Sequence, residues 1–175
     1  MSLSTVLTPV VIGIAAAAGA YALWTRRSRT YHSSESVASA YDAWTDDRLL
    51  ETLWGEHVHL GHYGDPPKRR DFRRAKADFV HELVHWSGLD RLPPGSRVLD
   101  VGCGIGGSAR ILAKDYGFNV LGISISPAQI QRATELTPDN LSCRFEVMDA
   151  LNLNLADAEF DGCLLYTSPS PRDSV

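Results

Sequence analysis

The fold is decided by a glycine-rich stretch that reads Val98-Leu99-Asp100-Val101-Gly102-Cys103-Gly104-Ile105-Gly106-Gly107-Ser108. An apolar run precedes the first glycine and predicts a short buried strand, while the residues after the last glycine favour a helix. Glycines between a strand and a helix let the backbone turn sharply and approach a ligand closely. Gly102, Gly104 and Gly107 also satisfy the dinucleotide fingerprint GxGxxG, a pattern too common to decide the ligand alone.

Strands and helices alternate after this loop, and helices precede it. A strand–helix–strand–helix–strand order within one short segment predicts an α/β domain with a parallel sheet, the Rossmann-like architecture. The predicted strands cover residues 97–101, 118–123 and 141–147, with a fourth from about 160, and the predicted helices cover 34–54, 70–87, 104–116 with its entering loop, and 127–136.

The N-terminus has the composition of a membrane anchor. Residues 6–24 contain no charged side chain, and Arg26, Arg27 and Arg29 follow them. About 19 helical residues span roughly 28 Å, close to the thickness of a bilayer's hydrocarbon core. Because the positive charge follows the apolar run, we expect an uncleaved transmembrane helix with the rest of the chain on the cytoplasmic side of an inner or thylakoid membrane. A cleaved targeting segment and a buried soluble helix remain alternatives.

Composition excludes several classes of protein. Lys and Arg number 17 against 21 Asp and Glu, a net charge of −4, so no global positive field exists to attract nucleic acid. Cys103, Cys143 and Cys163 are widely spaced and form no CxxC motif. This argues against a disulfide scaffold and a zinc knuckle, and favours a reducing compartment.

A basic cluster lies on the second predicted helix and just before it. We interpret it as a solvated helix face, with contact to anionic membrane lipid as the alternative. Its members are Lys68, Arg69, Arg70, Arg73, Arg74 and Lys76.

The residues around the glycine loop favour S-adenosylmethionine over a dinucleotide. Asp100 stands two residues before the first glycine, where a carboxylate would repel a pyrophosphate but suit an ammonium and a sulfonium. The second strand ends without the acidic residue that usually holds a nucleotide ribose, and offers Ser124 and Gln129 instead. Asp149, after the third strand, can accept a hydrogen bond from an adenine amino group. Structural roles in turns or loops remain the alternative for these residues. An NAD-binding oxidoreductase remains the alternative class of protein.

The combination of motifs resembles the tocopherol and plastoquinone methyltransferase group, and within it the cyanobacterial methylphytylbenzoquinol and methylsolanesylbenzoquinol methyltransferases. Three stretches carry the resemblance besides the apolar N-terminus: 100–108, 122–129 (Gly-Ile-Ser-Ile-Ser-Pro-Ala-Gln), and 40–45 with 54–64 (Trp-Gly-Glu-His-Val-His-Leu-Gly-His-Tyr-Gly). The resemblance implies a class I fold and S-adenosylmethionine-dependent methylation of a ring carbon of a prenylated quinol. It implies cofactor-binding residues Asp100, Gly102, Cys103, Gly104, Gly106, Ser124, Ile125, Gln129, Asp149 and Ala150.

The resemblance ends after residue 162, where the family would continue with a fourth strand and further elements. Residues 163–175 read instead as a non-family tail with the look of translated adapter sequence; a genuine short isoform is the alternative. We therefore expect an anchor at 1–29, a helical lid region at 30–94, half of a Rossmann-like domain at 95–162 and the tail. A γ-tocopherol or other small-molecule methyltransferase, or an inactive cofactor-binding fragment, remain alternative functions, and we expect no turnover from the 175-residue chain itself.

Methylation of a quinol carbon is helped by a group that accepts a hydroxyl proton. The loop at 54–64 offers Glu56, three histidines and Tyr63, and we regard His62 and Tyr63 as weak catalytic candidates, with ordinary structural roles as the alternative. His57 and His59 lack an evident third ligand, so no metal site is expected. The expected partners are a prenylated quinol and membrane lipid, without nucleic acid.

Overall fold

The computed structural model of the protein describes residues 33–165. Two helices begin it, a third follows a long loop, and a parallel sheet with two further helices completes it. The elements are α1 (Ser34–Asp46), α2 (Leu49–Trp54), α3 (Phe72–Ser87), a short 3-10 turn (Leu89–Arg91), β1 (Arg97–Val101), α4 (Gly107–Tyr116), β2 (Asn119–Ser124), α5 (Pro127–Leu136), β3 (Cys143–Val147) and β4 (Gly162–Leu164).

The sheet confirms the predicted α/β class. Its strand order is β3-β2-β1-β4, and every neighbouring pair is parallel. Leu99 of β1 lies opposite Leu121 of β2, and Asp100 lies opposite Leu164 of β4. Strand β4 includes Cys163 and Leu164, so the boundary that we predicted at 163 falls inside a strand.

The predicted helix over 34–54 is wrong in one respect, because the structure divides it into α1 and α2. Arg48, between them, has φ +52°, a left-handed conformation that a continuous helix does not contain. Helix α1 begins with a capping box in which Ser33 and Ser36 each accept from the other's backbone N–H; the N-cap is Ser33, one residue before the predicted start of the helix. Because of this break, α1 and α2 are separate helices, and the direction of one does not fix the direction of the other.

Two apolar layers cover the sheet. One contains Val84 of α3, Val98 of β1 and Leu112 of α4, and the other contains Leu99 and Ile123. These alternate faces follow from the two-residue period of a strand. The stripe predicted for α3 is present, since Ala75, Val80 and Val84 are fully buried in the structure.

The basic cluster is not a uniform solvated face, which corrects our interpretation of it. Lys76 is only 4% exposed. Its ammonium donates to the backbone carbonyls of Trp54 at 3.0 Å and His57 at 2.6 Å, so it ties the 54–64 loop to α3. Arg73 likewise donates to the carbonyl of Thr52 at 2.8 Å.

Within residues 33–165 no helix combines the length and the apolar character needed to cross a bilayer. The anchor predicted at 1–29, like residues 166–175 of the tail, lies outside the described residues.

Candidate functional site

A cleft of about 880 Å³ opens at the carboxyl ends of β1 and β2. This is the edge of a parallel α/β sheet at which ligands generally bind, and the volume suits a small organic ligand. The glycine loop and the end of β2 form one wall, and α1, α2 and the 54–64 loop contribute the other. The lining residues include Tyr41, Trp44, His57, His59, Leu60, Gly102, Cys103, Gly104, Ser124, Ile125, Gln129, Met148, Asp149 and Ala150.

The glycines of the loop have two distinct physical roles. Gly102 and Gly104 have φ values of +74° and +54°, and a Cβ added to either would meet no atom within 4 Å. Their backbone is therefore open to a ligand in a conformation that other residues adopt only with strain. Gly106 does not line the cleft; a Cβ there would come within 2.8 Å of the Phe145 ring. A Cβ on Gly107 would lie 2.7 Å from His57 Cε1, so these two glycines permit close packing.

Asp100 lies behind the glycine loop. It is completely buried and is absent from the cleft lining. By strand alternation its side chain shares the α4 face of the sheet with Val98. Neither carboxylate oxygen has a hydrogen-bond partner of good geometry within 33–165, and burial raises its pKa to about 7 against a smaller opposing effect of the Ala109 backbone. Direct attraction of the cofactor's ammonium by Asp100 stays a prediction. The buried position of Asp100 behind the glycine loop favours a structural role in which it supports that loop.

Polar groups at the end of β2 form a chain of hydrogen bonds. Ser124 Oγ donates to Gln129 Oε1 at 2.8 Å, and both residues line the cleft. Ser126 Oγ caps α5 by accepting from the Gln129 backbone N–H at 3.1 Å. Ser126 in turn donates to Asp42 Oδ1 at 2.5 Å, and the same oxygen accepts from the Ala128 backbone N–H at 3.1 Å. The α1 residue Asp42 thus completes the α5 cap beside the cleft.

Two ion pairs fix the opposite wall of the cleft. Glu51 of α2 holds Arg132 of α5 through two oxygens, at 2.7 and 2.9 Å. Glu56 accepts from Arg110 of α4 at 2.7 Å, and Arg110 also donates to the Ile105 carbonyl at 2.9 Å. The bidentate pairing of Glu51 with Arg132 adds geometric specificity. These contacts and Asp42 were missed by sequence reasoning, although Asp42 and Glu56 lie within stretches that carried the resemblance.

The 54–64 loop brings two of its three histidines to the cleft. His57 and His59 line the cleft, whereas the weak catalytic candidates His62 and Tyr63 do not. His59 Nδ1 is 2.7 Å from the Leu60 carbonyl, and His59 Nε2 is 3.2 Å from His57 Nδ1. Within the described residues no group of three or more His, Cys, Asp or Glu side chains could hold a metal ion.

The cleft fits S-adenosylmethionine by the chemistry of its donor and acceptor groups. The exposed backbone at Gly102 and Gly104 can approach the methionine part, and Ser124 and Gln129 offer polar atoms to ribose hydroxyls. Asp149 uses Oδ1 to accept from the Leu151 backbone N–H at 2.9 Å, which leaves its other oxygen as an acceptor for an adenine amino group. S-adenosylmethionine supplies an activated methyl group on a positively charged sulfur.

Known proteins with a similar sequence or fold include methyltransferases. A family model described as "Methyltransferase domain" matches residues 98–171. The structure of the [4+2]-cyclase SpnF superimposes with a TM-score of 0.66 at 28% identity, covering 75% of this chain and 48% of that one. Geranyl diphosphate C-methyltransferase from Streptomyces coelicolor, solved with S-adenosyl-L-homocysteine, shares the fold at a TM-score of 0.52 and 24% identity, covering 69% and 50%. Because a cyclase also has this fold, the fold by itself does not indicate which reaction is catalysed, and similarity of sequence is the better guide.

Sequence relatives are methyltransferases. The 2-methyl-6-phytyl-1,4-hydroquinone methyltransferase of Synechocystis sp. is 60% identical over 152 residues, which cover 87% of this chain and 47% of the relative. The chloroplastic tocopherol O-methyltransferase of Arabidopsis thaliana is 35% identical over 124 residues, covering 65% and 35%. The chain thus spans about half the length of these relatives or less.

The chain therefore has a Rossmann-like domain whose cleft suits S-adenosylmethionine and whose sequence is similar to that of methyltransferases. Among methyltransferases, the chain is similar to the methylphytylhydroquinone and tocopherol enzymes named above.

Proposed function

We propose that the protein methylates a ring carbon of a prenylated hydroquinone of the methylphytyl or methylsolanesyl type, in tocopherol and plastoquinone biosynthesis. The observation that carries this proposal is the 60% identity with the Synechocystis enzyme over nearly the whole chain. The apolar side chains at the cleft are consistent with a prenylated acceptor, because Leu60 is 82% exposed and Val58, Trp44 and Leu151 are also exposed around the cleft.

The residues of this chain bind and orient the reactants. The glycine loop and the Ser124–Gln129 pair hold the methyl donor, and the ion pairs from α2 and the following loop keep the opposite wall in place. Tyr41 and Trp44 line the cleft with their rings edge to face, 5.6 Å between centroids. Aromatic faces attract a sulfonium through cation–π interaction, which would orient the methyl group. A walled cleft also excludes water, which favours the in-line displacement.

A fusion protein tests the proposal. Residues 1–165 are joined to the remaining C-terminal part of the Synechocystis relative, and radioactive S-adenosylmethionine is supplied with 2-methyl-6-phytyl-1,4-hydroquinone. We expect a product methylated on the ring and inhibition by S-adenosylhomocysteine. NAD at the same concentration serves as the control ligand and should have no effect. A folded fusion that binds NAD tightly, or that leaves the hydroquinone unmethylated, contradicts the proposal.

A tocopherol is the second candidate acceptor, because the Arabidopsis relative is named for that substrate. Tocopherol carries its methyl acceptor positions on a chromanol ring instead of a free hydroquinone. The same fusion given γ-tocopherol decides between the two. Methylation of γ-tocopherol with a higher kcat/KM than the hydroquinone would favour the second candidate.

We also propose that residues 1–29 anchor the protein to a membrane, with the catalytic region on the cytoplasmic side. The support is the uncharged run at 6–24 followed by three arginines. The prenyl tail of the proposed acceptor lies in the bilayer, so a membrane anchor would keep the protein close to its substrate. The full chain should sediment with membranes and resist extraction by carbonate, whereas a chain beginning at residue 30 should do so much less. Equal distribution of the two chains would contradict the proposal.

A further inference from the structure

His57 is held by both its backbone and its ring. Its carbonyl accepts from Lys76, and its ring packs against Gly107, the first residue of α4. The ring also lies edge to face with His59, with centroids 5.0 Å apart. His57 therefore lines the cleft next to the glycine loop as a fixed group and not as a mobile loop side chain.

The hydrogen bonds determine which nitrogen of each ring carries a proton. A carbonyl oxygen only accepts, so His59 Nδ1, 2.7 Å from the Leu60 carbonyl, must be the donor. Neutral His59 then has Nε2 as an acceptor, and His57 Nδ1 at 3.2 Å must donate to it. Neutral His57 is left with the lone pair on Nε2.

Both rings are held in the neutral form. Burial lowers the pKa of His57 to about 4, with His59 adding to this effect, and burial also lowers the pKa of His59. The charged groups that act on His57 from the surrounding elements are Glu56, which favours its protonation, and Arg110 and Lys76, which oppose it. The lone pair on His57 Nε2 is thus present throughout the neutral pH range.

We propose that His57 Nε2 accepts the proton of the quinol hydroxyl during methyl transfer, and that His59 is a positioning residue that fixes the His57 tautomer. This inference rests on the proposed function, since it assigns a role within the same reaction. Neither His62 nor Tyr63, the candidates from the sequence, lines the cleft.

The step balances in atoms and charge. As the ring carbon forms its bond to the methyl group and the methyl–sulfur bond breaks, positive charge moves onto the quinol ring. The hydroxyl becomes strongly acidic at that moment, so the weakly basic His57 Nε2 can take its proton while the O–H electron pair stays on oxygen. Loss of the ring proton to water then restores aromaticity, and the imidazolium returns its proton to the quinol oxygen. The net products are the methylated quinol, S-adenosylhomocysteine and one proton.

Nuclear magnetic resonance of the ¹⁵N-histidine-labelled 175-residue chain tests the tautomer without any turnover. We expect His57 to carry its proton on Nδ1 and a bare Nε2 from pH 5 to 8. Added methylhydroquinone together with S-adenosylhomocysteine should move the Nε2 resonance of His57 and leave that of His85, on α3 beside Asp90, unchanged. A proton on His57 Nε2, or an Nε2 resonance unmoved by methylhydroquinone, overturns the proposal.

Kinetics of the fusion protein tests the catalytic role. His57→Gln should lower kcat about 100-fold or more with little change in KM for S-adenosylmethionine, as expected when a general base is lost. His85→Gln is the matched control and should keep parental kcat. If the parent fusion methylates and His57→Gln does so equally fast, this inference fails while the proposed function stands. If the parent fusion itself is inactive, the proposed function fails. Should His57→Gln not fold, the resonance experiment on the unsubstituted chain still decides.

Discussion

Replacing Asp100 by Asn should change how the stability of the fold depends on pH. The carboxyl is completely buried, and its pKa rises from an ordinary 3.8 to about 7. Below about pH 4 it is protonated in both the folded and the unfolded chain, so folding carries no ionisation penalty. Between pH 4 and 7 only the unfolded chain releases the proton, and the free energy of unfolding falls as pH rises. Above pH 7 both states are ionised and the full penalty remains.

The size of the effect follows from the two pKa values. A tenfold change in the proton equilibrium corresponds to about 1.4 kcal/mol, so a rise from 3.8 to about 7 makes ionised Asp100 about 4 kcal/mol less favourable in the fold. Asparagine does not ionise. The free energy of unfolding of Asp100→Asn relative to the parent should therefore increase by about 4 kcal/mol between pH 4 and pH 8.

Urea unfolding at one-unit pH intervals, followed by tryptophan fluorescence without added ligand, measures this difference. Asp149→Asn is the matched control, because it makes the same chemical change at a carboxylate of the cleft lining that is only partly buried. Its difference from the parent should vary far less with pH. If the Asp100→Asn difference is the same at pH 4 and pH 8, the buried carboxyl does not titrate as argued and the reasoning is refuted.

Three further substitutions test the cleft. Gly102→Ala should weaken S-adenosylhomocysteine binding at least tenfold in calorimetry. Gly95 has a similar positive φ but lies outside the cleft, so Gly95→Ala should cost about 1–2 kcal/mol of stability and leave the affinity unchanged. Equal affinities of the two variants for S-adenosylhomocysteine would contradict a ligand role for the loop. Asp42→Ala should destabilise the fold by about 1–3 kcal/mol in urea unfolding through loss of two hydrogen bonds to a charged acceptor, while Asp46→Ala on the same helix should have little effect. Lys76→Met should destabilise by about 1–3 kcal/mol, since two loop carbonyls lose their donor; unchanged stability would mean that the loop is held elsewhere.

Local signals in the sequence were enough to predict the sheet and its glycine loop. The run before Gly102 and the glycines themselves specify a strand, a turn and a helix without reference to distant residues. Pro127, which suits the first turn of a helix, correctly marked the start of α5. Strand and helix ends elsewhere shifted by only a few residues.

Long-range partners could not be read in the same way. Lys76 is charged and sits in a basic run, so periodicity alone placed it on a solvated face, yet two carbonyls compensate its burial. Asp42 shows no local feature that points to a helix cap more than eighty residues away. The position of Asp100 behind the loop depends on which face of β1 packs against α4, which the spacing from Gly102 did not reveal.

The contacts that close the cleft also determine an order of events during synthesis of the chain. Asp42, Glu51 and Glu56 meet partners that lie 84, 81 and 54 residues later in the sequence. At about 5–20 residues per second, the partner of Asp42 is made about 4–17 s after Asp42 itself. Through that interval α1 and α2 have no α5 to dock on, so the wall that faces the glycine loop can assemble only after translation has passed residue 132. A cofactor pocket with both walls consequently cannot form before helix α5 has been synthesised.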